Sequence, residues 1–282
     1  MASENIPHVA FLGCGSMNEA ILAGMLAGGH PKDRITATVR RAERAAELRS
    51  RHGVQGLAGS EQEDANRTAA AAADVVIVGV KPVGVKAMLE EIGSALKPGA
   101  LVISVAAAVT VQMLEAALPE GQPVIRCMPN TPSKLGRGVV SLSPGTSCSQ
   151  AALDEAERLL ASAGTVVQVP EEQVDALSAV SGSGPAYAFY LAEAMAAAGE
   201  RLGLDPQLSA LLARETVAGA GAMLAEPDAD AAALRRAVTS PNGTTEAAIA
   251  EFDRRGLPVI VADGAAAAAA RAAQISAELR EG

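Results

Sequence analysis

Residues 239–246 read TSPNGTTE, and their types raise the question of what chemistry they could do. The stretch offers hydroxyl groups and a glycine but no histidine, lysine or cysteine, and a helical run follows it. Ser or Thr followed by Glu is typical of a helix N-cap, so the stretch could be only a cap or a linker. The N–H groups of a helix N-terminus also suit an anion such as a substrate carboxylate. The cap and the active-site interpretations are therefore compatible.

The strong bases of the chain all lie in its first half. The histidines are at positions 8, 30 and 52, and the lysines are at positions 32, 81, 86, 97 and 134. A dehydrogenase that oxidises an alcohol usually needs such a base. The second half of the chain contains neither residue type, so it lacks the lysine that a β-hydroxyacid dehydrogenase uses and the histidine that a Ser-His-Asp hydrolase needs. Reduction of a C=N bond fits better, because an imine nitrogen is basic enough to take up a proton itself. The protein must then supply mainly hydride geometry and one polar partner.

Two glycines near the N-terminus stand where a nucleotide could bind. Gly13 and Gly15 follow a run typical of a strand and precede a helical run. Gly13 permits a tight turn, and Gly15 lets the backbone approach a pyrophosphate at the helix N-terminus, although a plain strand–helix turn is the alternative. Asn18 holds the third glycine position of the usual motif and is expected to loosen helix–strand packing slightly. Cys14 is interpreted as a small residue in a tight turn rather than as a redox group.

The end of the second predicted strand bears on the choice of cofactor. NAD-preferring sites place Asp or Glu about 20 residues after the glycine motif, whereas this chain has Arg40 and Arg41. A carboxylate would repel a 2′-phosphate, and a guanidinium can bind it through two hydrogen bonds. The pattern predicts NADP(H), with NAD(H) as a possible second cofactor, unless the two arginines merely begin a solvated helix.

The composition limits the partners and the location. The chain has 282 residues, a net charge of −9, 49% apolar residues and 2% aromatic residues. This charge argues against nucleic acid or an anionic membrane as a partner, and no run predicts a membrane span or a secretory signal. The three cysteines lie far apart with no C-x-x-C pair, so a reducing cytoplasm is expected. With three dispersed histidines, no metal site is predicted.

Residues 1–169 alternate runs typical of strands with helical runs, which predicts an α/β fold with an N-terminal Rossmann-type, doubly wound parallel sheet. The run ADVVIVGVKP is almost continuously apolar, as expected for a strand buried on both faces. The predicted strands lie at 8–13, 34–39, 73–82, 100–108, 123–130, 138–145 and 164–170.

Residues 170–282 show no further strand pattern and are predicted to form an all-α C-terminal dimerisation domain. Pro185 predicts the first turn of a helix that runs to about Leu202, and Asp205 with Pro206 predicts the N-cap and first position of the next helix. Both helices are apolar on nearly every side and must therefore be covered all round. A second copy that interleaves its own helices would cover them, which predicts a homodimer through this domain.

Six stretches together resemble the pyrroline-5-carboxylate reductase family, whose members make proline from the cyclic imine with NAD(P)H. FLGCGSMNEAILAGML is similar to the family's first strand–helix turn. ADVVIVGVKP, VISVAAAVT and IRCMPNTP match its later strand ends in the same order. SGSGPAYAFYLAEAM and LRRAVTSPNGTTEAAI resemble its two C-terminal signatures, and the match covers nearly the whole chain.

The resemblance implies a set of NADP(H) contacts at the glycine turn and at the ends of the later strands. Asn130 of MPNTP would lie close to the nicotinamide. The implied cofactor-binding residues are Leu12, Gly13, Cys14, Gly15, Ser16, Met17, Arg40, Asn66, Val80, Lys81, Pro82, Ala106, Ala107 and Asn130.

The resemblance also implies that residues 239–246 grip a cyclic imino acid with backbone N–H groups and a threonine hydroxyl, in a pocket shared by a dimer. The implied substrate-binding residues are Ser240, Gly243, Thr244 and Thr245, and Thr245 is the implied catalytic residue. The family often assembles dimers into larger rings. Asn242 replaces the first glycine of the family's S-P-G-G loop, and Ala108 replaces a frequent glycine. Because Asn tolerates left-handed backbone angles, we expect the turn to survive.

Two other functions stay open from the residues alone. One is another NADP-dependent reductase, acting on a larger cyclic imine or on a deazaflavin cofactor. The other is a non-catalytic NADP-binding regulator of the same fold, against which the intact TSPNGTTE stretch argues.

Overall fold

The computed structural model describes residues 6–281, and these residues form a sheet of eight strands. The strands are β1 Val9–Leu12, β2 Ile35–Val39, β3 Gln55–Ala58, β4 Val75–Val78, β5 Leu101–Ser104, β6 Val124–Pro129, β7 Gly138–Pro144 and β8 Gly164–Gln168. Their order across the sheet is β3-β2-β1-β4-β5-β6-β7-β8. Because β1 pairs in parallel with both β2 and β4, the winding of the chain switches direction at β1. The carboxyl ends of β1 and β4 therefore flank the crevice where doubly wound sheets bind ligands.

The last part of the sheet differs from the predicted all-parallel arrangement. β7 pairs antiparallel with β6, and β8 pairs in parallel with β7. Only the short segment 130–137 joins β6 to β7, and a parallel crossover needs about a dozen residues or more. The segment instead forms a tight turn, Thr131–Leu135, that ends at the left-handed Gly136. β3 was not predicted, because QGLA is short and contains no β-branched residue.

Helices cover both faces of the sheet. Val9 and Phe11 pack into the core on one face, and Ala10 and Leu12 pack into the core on the other. This alternation explains why the strands are apolar at every position. The helices of this part are α1 Ser16–Ala27, α2 Ala42–His52, α3 Ala65–Ala72, α4 Val85–Ile92, α5 Val111–Ala116, α6 Gln150–Leu160 and α7 Val174–Leu177, and a π-helical turn, Ser178–Gly182, follows them.

After β8 the described residues form only helices and turns, as the sequence predicted. Pro185 lies in the first turn of α8. The side chain of Asp205 caps α9 by accepting hydrogen bonds from the N–H groups of Gln207 (2.9 Å) and Leu208 (3.2 Å). Both predicted helix starts are therefore confirmed. The remaining helices are α8 Gly184–Arg201, α9 Pro206–Leu224, α10 Ala231–Ala237, α11 Thr244–Arg254 and α12 Leu257–Glu281.

Contacts between residues divide the chain into two compact units. The first holds the sheet and consists of the residues up to Gly182 and those from Ala269 onward, and the second is Ser183–Ala268. Residues 170–182 and the last turns of α12 thus contact the sheet unit, although the predicted division into 1–169 and 170–282 assigns them to the helical domain. That domain boundary stays a prediction.

The second unit exposes many large apolar side chains. Phe189 and Tyr190 of α8 are 68% and 73% exposed, and Val259 and Ile260 of α12 are 62% and 60% exposed. Single exposed apolar residues are common, but such a concentration marks an interaction surface. Among residues 6–281, no single helix is long and apolar enough to cross a bilayer. By length and composition, α11 and the segment Leu257–Arg280, bent by 52°, meet that test only as a pair.

Candidate active site

A tight turn at Gly13 begins the candidate cofactor site. Gly13 has a φ of +71°, a backbone conformation that residues with side chains rarely adopt. A Cβ at this position would lie 2.5 Å from Cγ1 of Val80, so the end of β1 closely approaches the segment after β4. Glycine is therefore required here both by its backbone angle and by this close approach.

The N-terminus of α1 follows this turn and faces open space. Gly15 is the N-cap residue of α1, and a Cβ built there would meet only the carbonyl oxygen of Gly13, at 4.0 Å. The N–H groups of Ser16 and Met17 open the helix, where N–H groups have no carbonyl partner within the helix. The helix dipole also favours negative charge at this end. The residues present thus fit the pyrophosphate of a dinucleotide.

Two other residues of the predicted glycine-turn set have buried side chains. The side chain of Leu12 lies in the core, and its carbonyl oxygen accepts a hydrogen bond from the N–H of Gly79 (2.9 Å). Burial raises the pKa of the Cys14 thiol to about 12, so the thiol stays protonated near neutral pH. This agrees with the interpretation of Cys14 as a small residue in a tight turn.

Arg40, predicted to bind the 2′-phosphate, and Asn66, a second predicted cofactor contact, lie near the end of β2. Arg40 is exposed there, and Arg41 is the N-cap residue of α2. The Nδ2 of Asn66, in α3, donates to the two carboxylate oxygens of Glu91 at 3.2 and 3.3 Å. Its Oδ1 accepts a hydrogen bond from Thr38 at 2.7 Å. Thr38 is missing from the predicted set, and its only sequence signal is a polar residue in the apolar strand ITATV.

The ends of β4 and β5 carry five further predicted cofactor residues. Lys81 and Ala107 are exposed, whereas Ala106 is buried. Because β1, β4 and β5 are parallel neighbours, their carboxyl ends lie at the same edge of the sheet as the glycine turn. The residues are Val80, Lys81, Pro82, Ala106 and Ala107.

Asn130 follows β6, and both polar groups of its buried side chain contact the protein. Its Oδ1 accepts a hydrogen bond from the N–H of Val139 (2.9 Å), and its Nδ2 donates to the carbonyl of Ser181 (2.9 Å). Ser181 lies in the π-helical turn, and such turns are frequent at functional sites. Asn130 thus ties the start of β7 to the turn that precedes α8. Its predicted contact with the nicotinamide stays a prediction.

Residues 239–246 form a tight turn that leads into α11, in the second unit. The N–H of Gly243 donates to the carbonyl of Ser240 (3.0 Å), with Pro241 and Asn242 between them. Asn242 has a φ of +58°, as the third position of a type II turn requires. A Cβ on Gly243 would lie 2.5 Å from Oγ of Ser240, so only glycine fits there without a shift.

The N-terminus of α11 presents two threonines. The carboxylate of Glu246 folds back and accepts a hydrogen bond from the N–H of Asn242 (2.7 Å), which closes the turn. By their position in the helix, the N–H groups of Thr244 and Thr245 have no carbonyl partner within it. Thr245 is half-buried and Thr244 is exposed. An anion bound at this end would therefore meet backbone donors beside a threonine hydroxyl.

Comparison with known proteins identifies the family. A pyrroline-5-carboxylate reductase from Pseudomonas aeruginosa is 40% identical over 274 residues, which cover 97% of this chain and 98% of that relative. The chain belongs to the pyrroline-5-carboxylate reductase family. Pyrroline-5-carboxylate reductase 1 from Bacillus spizizenii is 35% identical over 97% of this chain and 91% of its own length. The solved structure of the Coxiella burnetii pyrroline-5-carboxylate reductase matches with a TM-score of 0.90 and 35% identity, over 96% of this chain and 99% of that one.

Two family models match separate parts of the chain. Residues 171–275 match the model described as pyrroline-5-carboxylate reductase dimerisation, and residues 8–108 match the model described as NADP oxidoreductase, coenzyme F420-dependent. The predicted family, the fold class and the class of NADP-dependent oxidoreductase are therefore confirmed. The dimerisation model also supports association of copies through the helical half. Within residues 6–281, no group of His, Cys, Asp and Glu is placed to hold a metal ion.

Asn242 stands where the resemblance led us to expect glycine, and the turn is present. Its φ of +58° lies in the left-handed region, which asparagine enters more readily than most residues. Ala108, a second position where the resemblance led us to expect glycine, also has a left-handed φ, of +64°. Alanine has no polar side chain to offset the cost of that conformation, about 1 kcal/mol.

We expect Asn242→Gly to leave the KM for the imine within about twofold, because both residues reach the backbone angle that the turn needs. Asn242→Val should raise that KM about tenfold or more, because a β-branched residue is strained at positive φ by roughly 1–3 kcal/mol. Steady-state kinetics check this, with NADPH binding measured in parallel. Equal KM values for the two variants would show that the turn does not contribute to substrate binding.

Two further residues, Asn18 and Gly79, pack against each other beside the glycine turn. The sequence placed Asn18 at the third glycine position of the motif, whereas Gly79 was not assigned. Asn18 is buried, and a Cβ on Gly79 would lie 2.4 Å from its side chain. The expected loosening by Asn18 is not observed, since its amide occupies the space that Gly79 leaves open. A lone glycine inside the apolar run VVIVGV is the sequence signal for such a close approach.

Proposed function

We propose that this chain reduces the C=N bond of 1-pyrroline-5-carboxylate to form L-proline, the last step of proline biosynthesis. NADPH, or NADH less favourably, supplies the hydride to the imine carbon, and the ring nitrogen takes up a proton. The observation that carries the proposal is a helix N-terminus that presents Thr244 and Thr245 in a half of the chain with no histidine or lysine. Such a site can bind and orient an imine but cannot supply a strong base.

In this proposal the second unit holds the substrate. The N–H groups of Thr244 and Thr245 bind the carboxylate of the cyclic imino acid, as a helix N-terminus favours. The hydroxyl of Thr245 forms a hydrogen bond with the ring nitrogen, which fixes the imine for hydride transfer. Ser240 and Gly243 shape the turn that places these donors, and the N–H of Gly243 is itself engaged by Ser240.

The first unit holds the cofactor in this proposal. The glycine turn, Leu12 to Met17 in sequence, binds the pyrophosphate, Arg40 binds the 2′-phosphate, and Asn66 is a further cofactor contact. Val80, Lys81, Pro82, Ala106, Ala107 and Asn130 complete the cofactor-binding set.

We further propose that the chain forms a homodimer through the helical domain, with a larger ring of dimers as a possible final assembly. The exposed aromatic residues Phe189 and Tyr190 support this, because association would bury them. The proposed location is the cytoplasm, in keeping with the free thiols of Cys14, Cys127 and Cys148.

The deciding experiment follows NADPH oxidation with three substrates. We expect rapid turnover with 1-pyrroline-5-carboxylate and at least about tenfold lower kcat/KM with the six-membered cyclic imine, because one ring carbon displaces the reacting atoms. An oxidised deazaflavin forms the third arm, because residues 8–108 match a coenzyme F420-dependent model. Faster turnover of the deazaflavin than of either imine would contradict the proposal and indicate a deazaflavin reductase instead. Tight NADPH binding without turnover of any of the three substrates would support the alternative function, a non-catalytic NADP-binding regulator.

Arg40→Asp tests the cofactor preference. We expect the variant to bind NADPH more than about tenfold more weakly, because the new carboxylate repels the 2′-phosphate, whereas NADH binding changes by less than about threefold. Arg41→Asp is the matched control, since Arg41 is an exposed neighbour and aspartate is a favourable N-cap residue. Equal losses for NADPH and NADH in Arg40→Asp would contradict the 2′-phosphate contact. Dissociation constants for both cofactors, measured without substrate, give the answer.

A further inference from the structure

A chain of hydrogen bonds runs from the glycine turn through β2 to α4. The N–H of Gly13 donates to Oγ1 of Thr38 (3.3 Å), and that hydroxyl donates to Oδ1 of Asn66 (2.7 Å). Nδ2 of Asn66 then donates to both carboxylate oxygens of Glu91, at 3.2 and 3.3 Å. The carbonyl of Thr38 also accepts a hydrogen bond from the N–H of Cys14 (2.8 Å). Thr38 therefore holds two successive N–H groups of the turn as well as the side chain of Asn66.

The donor-to-acceptor direction of this series of hydrogen bonds is determined at both of its ends. A backbone N–H can only donate, so the oxygen of Thr38 acts as acceptor towards Gly13 and its proton is left for Asn66. An ionised carboxylate can only accept, so Glu91 must face the amino group of Asn66. The amide orientation of Asn66 is consequently the same when it is derived from either end. The side-chain carbonyl of Asn66 therefore faces Thr38, and its N–H donors face Glu91.

We propose that Thr38 is a positioning residue for the nicotinamide cofactor, because one buried hydroxyl sets both the glycine turn and the orientation of Asn66. Thr38 is only 1% exposed, so it acts through these two groups and not by touching the cofactor itself. Loss of the hydroxyl would leave the N–H of Gly13 without its acceptor and free the amide of Asn66 to rotate. The cofactor would then have to order both groups on binding, which weakens its affinity. The proposal rests on the proposed use of NADPH at this edge of the sheet.

Thr36 provides an unusually close control. It lies two residues earlier in β2, on the same face of the sheet, and is 2% exposed. Its hydroxyl also has two side-chain partners, His8 Nε2 at 3.0 Å and Gln55 Oε1 at 3.1 Å. These partners lie away from the carboxyl edge where the glycine turn is found. Thr36→Val and Thr38→Val therefore make the same chemical change in the same strand, and each removes two hydrogen bonds.

The test measures NADPH affinity by fluorescence titration of the whole enzyme without imine, together with urea unfolding. We expect Thr38→Val to weaken NADPH binding about tenfold and Thr36→Val to change it less than about twofold, with similar falls in the urea midpoint. Thr38→Ser keeps the hydroxyl and should stay within about threefold of the unaltered enzyme. At saturating NADPH, kcat of Thr38→Val should stay within about twofold, because the bound state regains the turn.

Equal effects of the two valine variants on NADPH affinity would overturn the proposal, and so would unaltered affinity in Thr38→Val. Should Thr38→Val fold poorly, Thr38→Cys replaces the hydroxyl with a weak donor of similar size and should weaken NADPH about fivefold. Affinity unaltered in that variant would equally overturn it. If the unaltered enzyme bound NADPH but did not reduce the imine, the proposed substrate would fail and the role of Thr38 would still be measurable.

Discussion

Thr245→Ala is expected to lower kcat on 1-pyrroline-5-carboxylate by about one to two orders of magnitude. The hydroxyl is proposed to hydrogen-bond the ring nitrogen as hydride arrives, and a lost transition-state hydrogen bond costs about 1–3 kcal/mol. Thr245 is half-buried at the N-terminus of α11, so its removal leaves the backbone donors of that helix in place. The dissociation constant of NADPH should barely change, because the cofactor residues lie in the other unit.

Two matched variants separate the hydroxyl from the shape of the side chain. Thr245→Val keeps the branched shape and removes the hydroxyl, so its kcat should fall as far as that of Thr245→Ala. Thr245→Ser keeps the hydroxyl and removes a methyl group, so it should retain most of the turnover. If Ser and Val variants lost kcat equally, packing and not hydrogen bonding would explain the effect. Unchanged kinetics in all three variants would end the assignment of Thr245 as the catalytic residue.

The KM for the imine distinguishes the two groups that Thr245 offers. Its backbone N–H survives every substitution and is proposed to bind the carboxylate with the N–H of Thr244. We therefore expect KM to rise only about twofold to threefold while kcat carries most of the loss, the pattern of a contact made mainly in the transition state. A large rise in KM with unchanged kcat would instead place the hydroxyl in ground-state binding.

Local signals in the sequence predicted the elements that begin or end at residues with strong conformational preferences. Pro185 lies in the first turn of α8, and Asp205 with Pro206 starts α9, because these residue types satisfy helix starts in any context. The apolar runs predicted the strands that carry the glycine turn and Lys81, since a strand buried on both faces has no polar face. The same signals placed the candidate site residues in sequence but not the contacts between them.

Features that depend on partners far away in sequence were not predictable. The antiparallel direction of β7 follows from the short connection after Asn130, and the strand patterns alone do not indicate strand direction. Thr38 appears in sequence as one of two threonines in an apolar strand, and its role depends on contacts from Gly13 and Asn66, which lie in other elements. Asn18 was assigned by comparison with a motif, whereas its actual partner is Gly79 on a neighbouring strand end. These are tertiary contacts, and no local propensity encodes them.

Gly79→Ala is expected to destabilise the folded protein by about 3 kcal/mol or more, because overpacking of a rigid core is costly. A Cβ at residue 79 would lie 2.4 Å from the amide of Asn18. Asn18 is 1% exposed and cannot swing into solvent, and its Nδ2 lies 3.4 Å from the carbonyl oxygens of both Leu12 and Ile77. The clash is thus with a held side chain between two strand ends. Urea unfolding measures the loss.

The clash depends on the side chain of Asn18, so a second substitution that removes this side chain should relieve it. Asn18→Ala alone should cost only about 1 kcal/mol: weak, long hydrogen bonds are lost, but alanine favours the helix, and Oδ1 of Asn18 has no hydrogen-bond partner among the described residues. In that background, Gly79→Ala should cost less than about 1 kcal/mol, because the amide that it meets has gone. The double-mutant cycle should therefore show a coupling of about 2 kcal/mol or more, in the direction of mutual rescue. Additive losses would mean that the backbone at residue 79, and not Asn18, requires glycine. Coupling would show that the residue at the third motif position and the glycine after β4 form one packing unit beneath the turn.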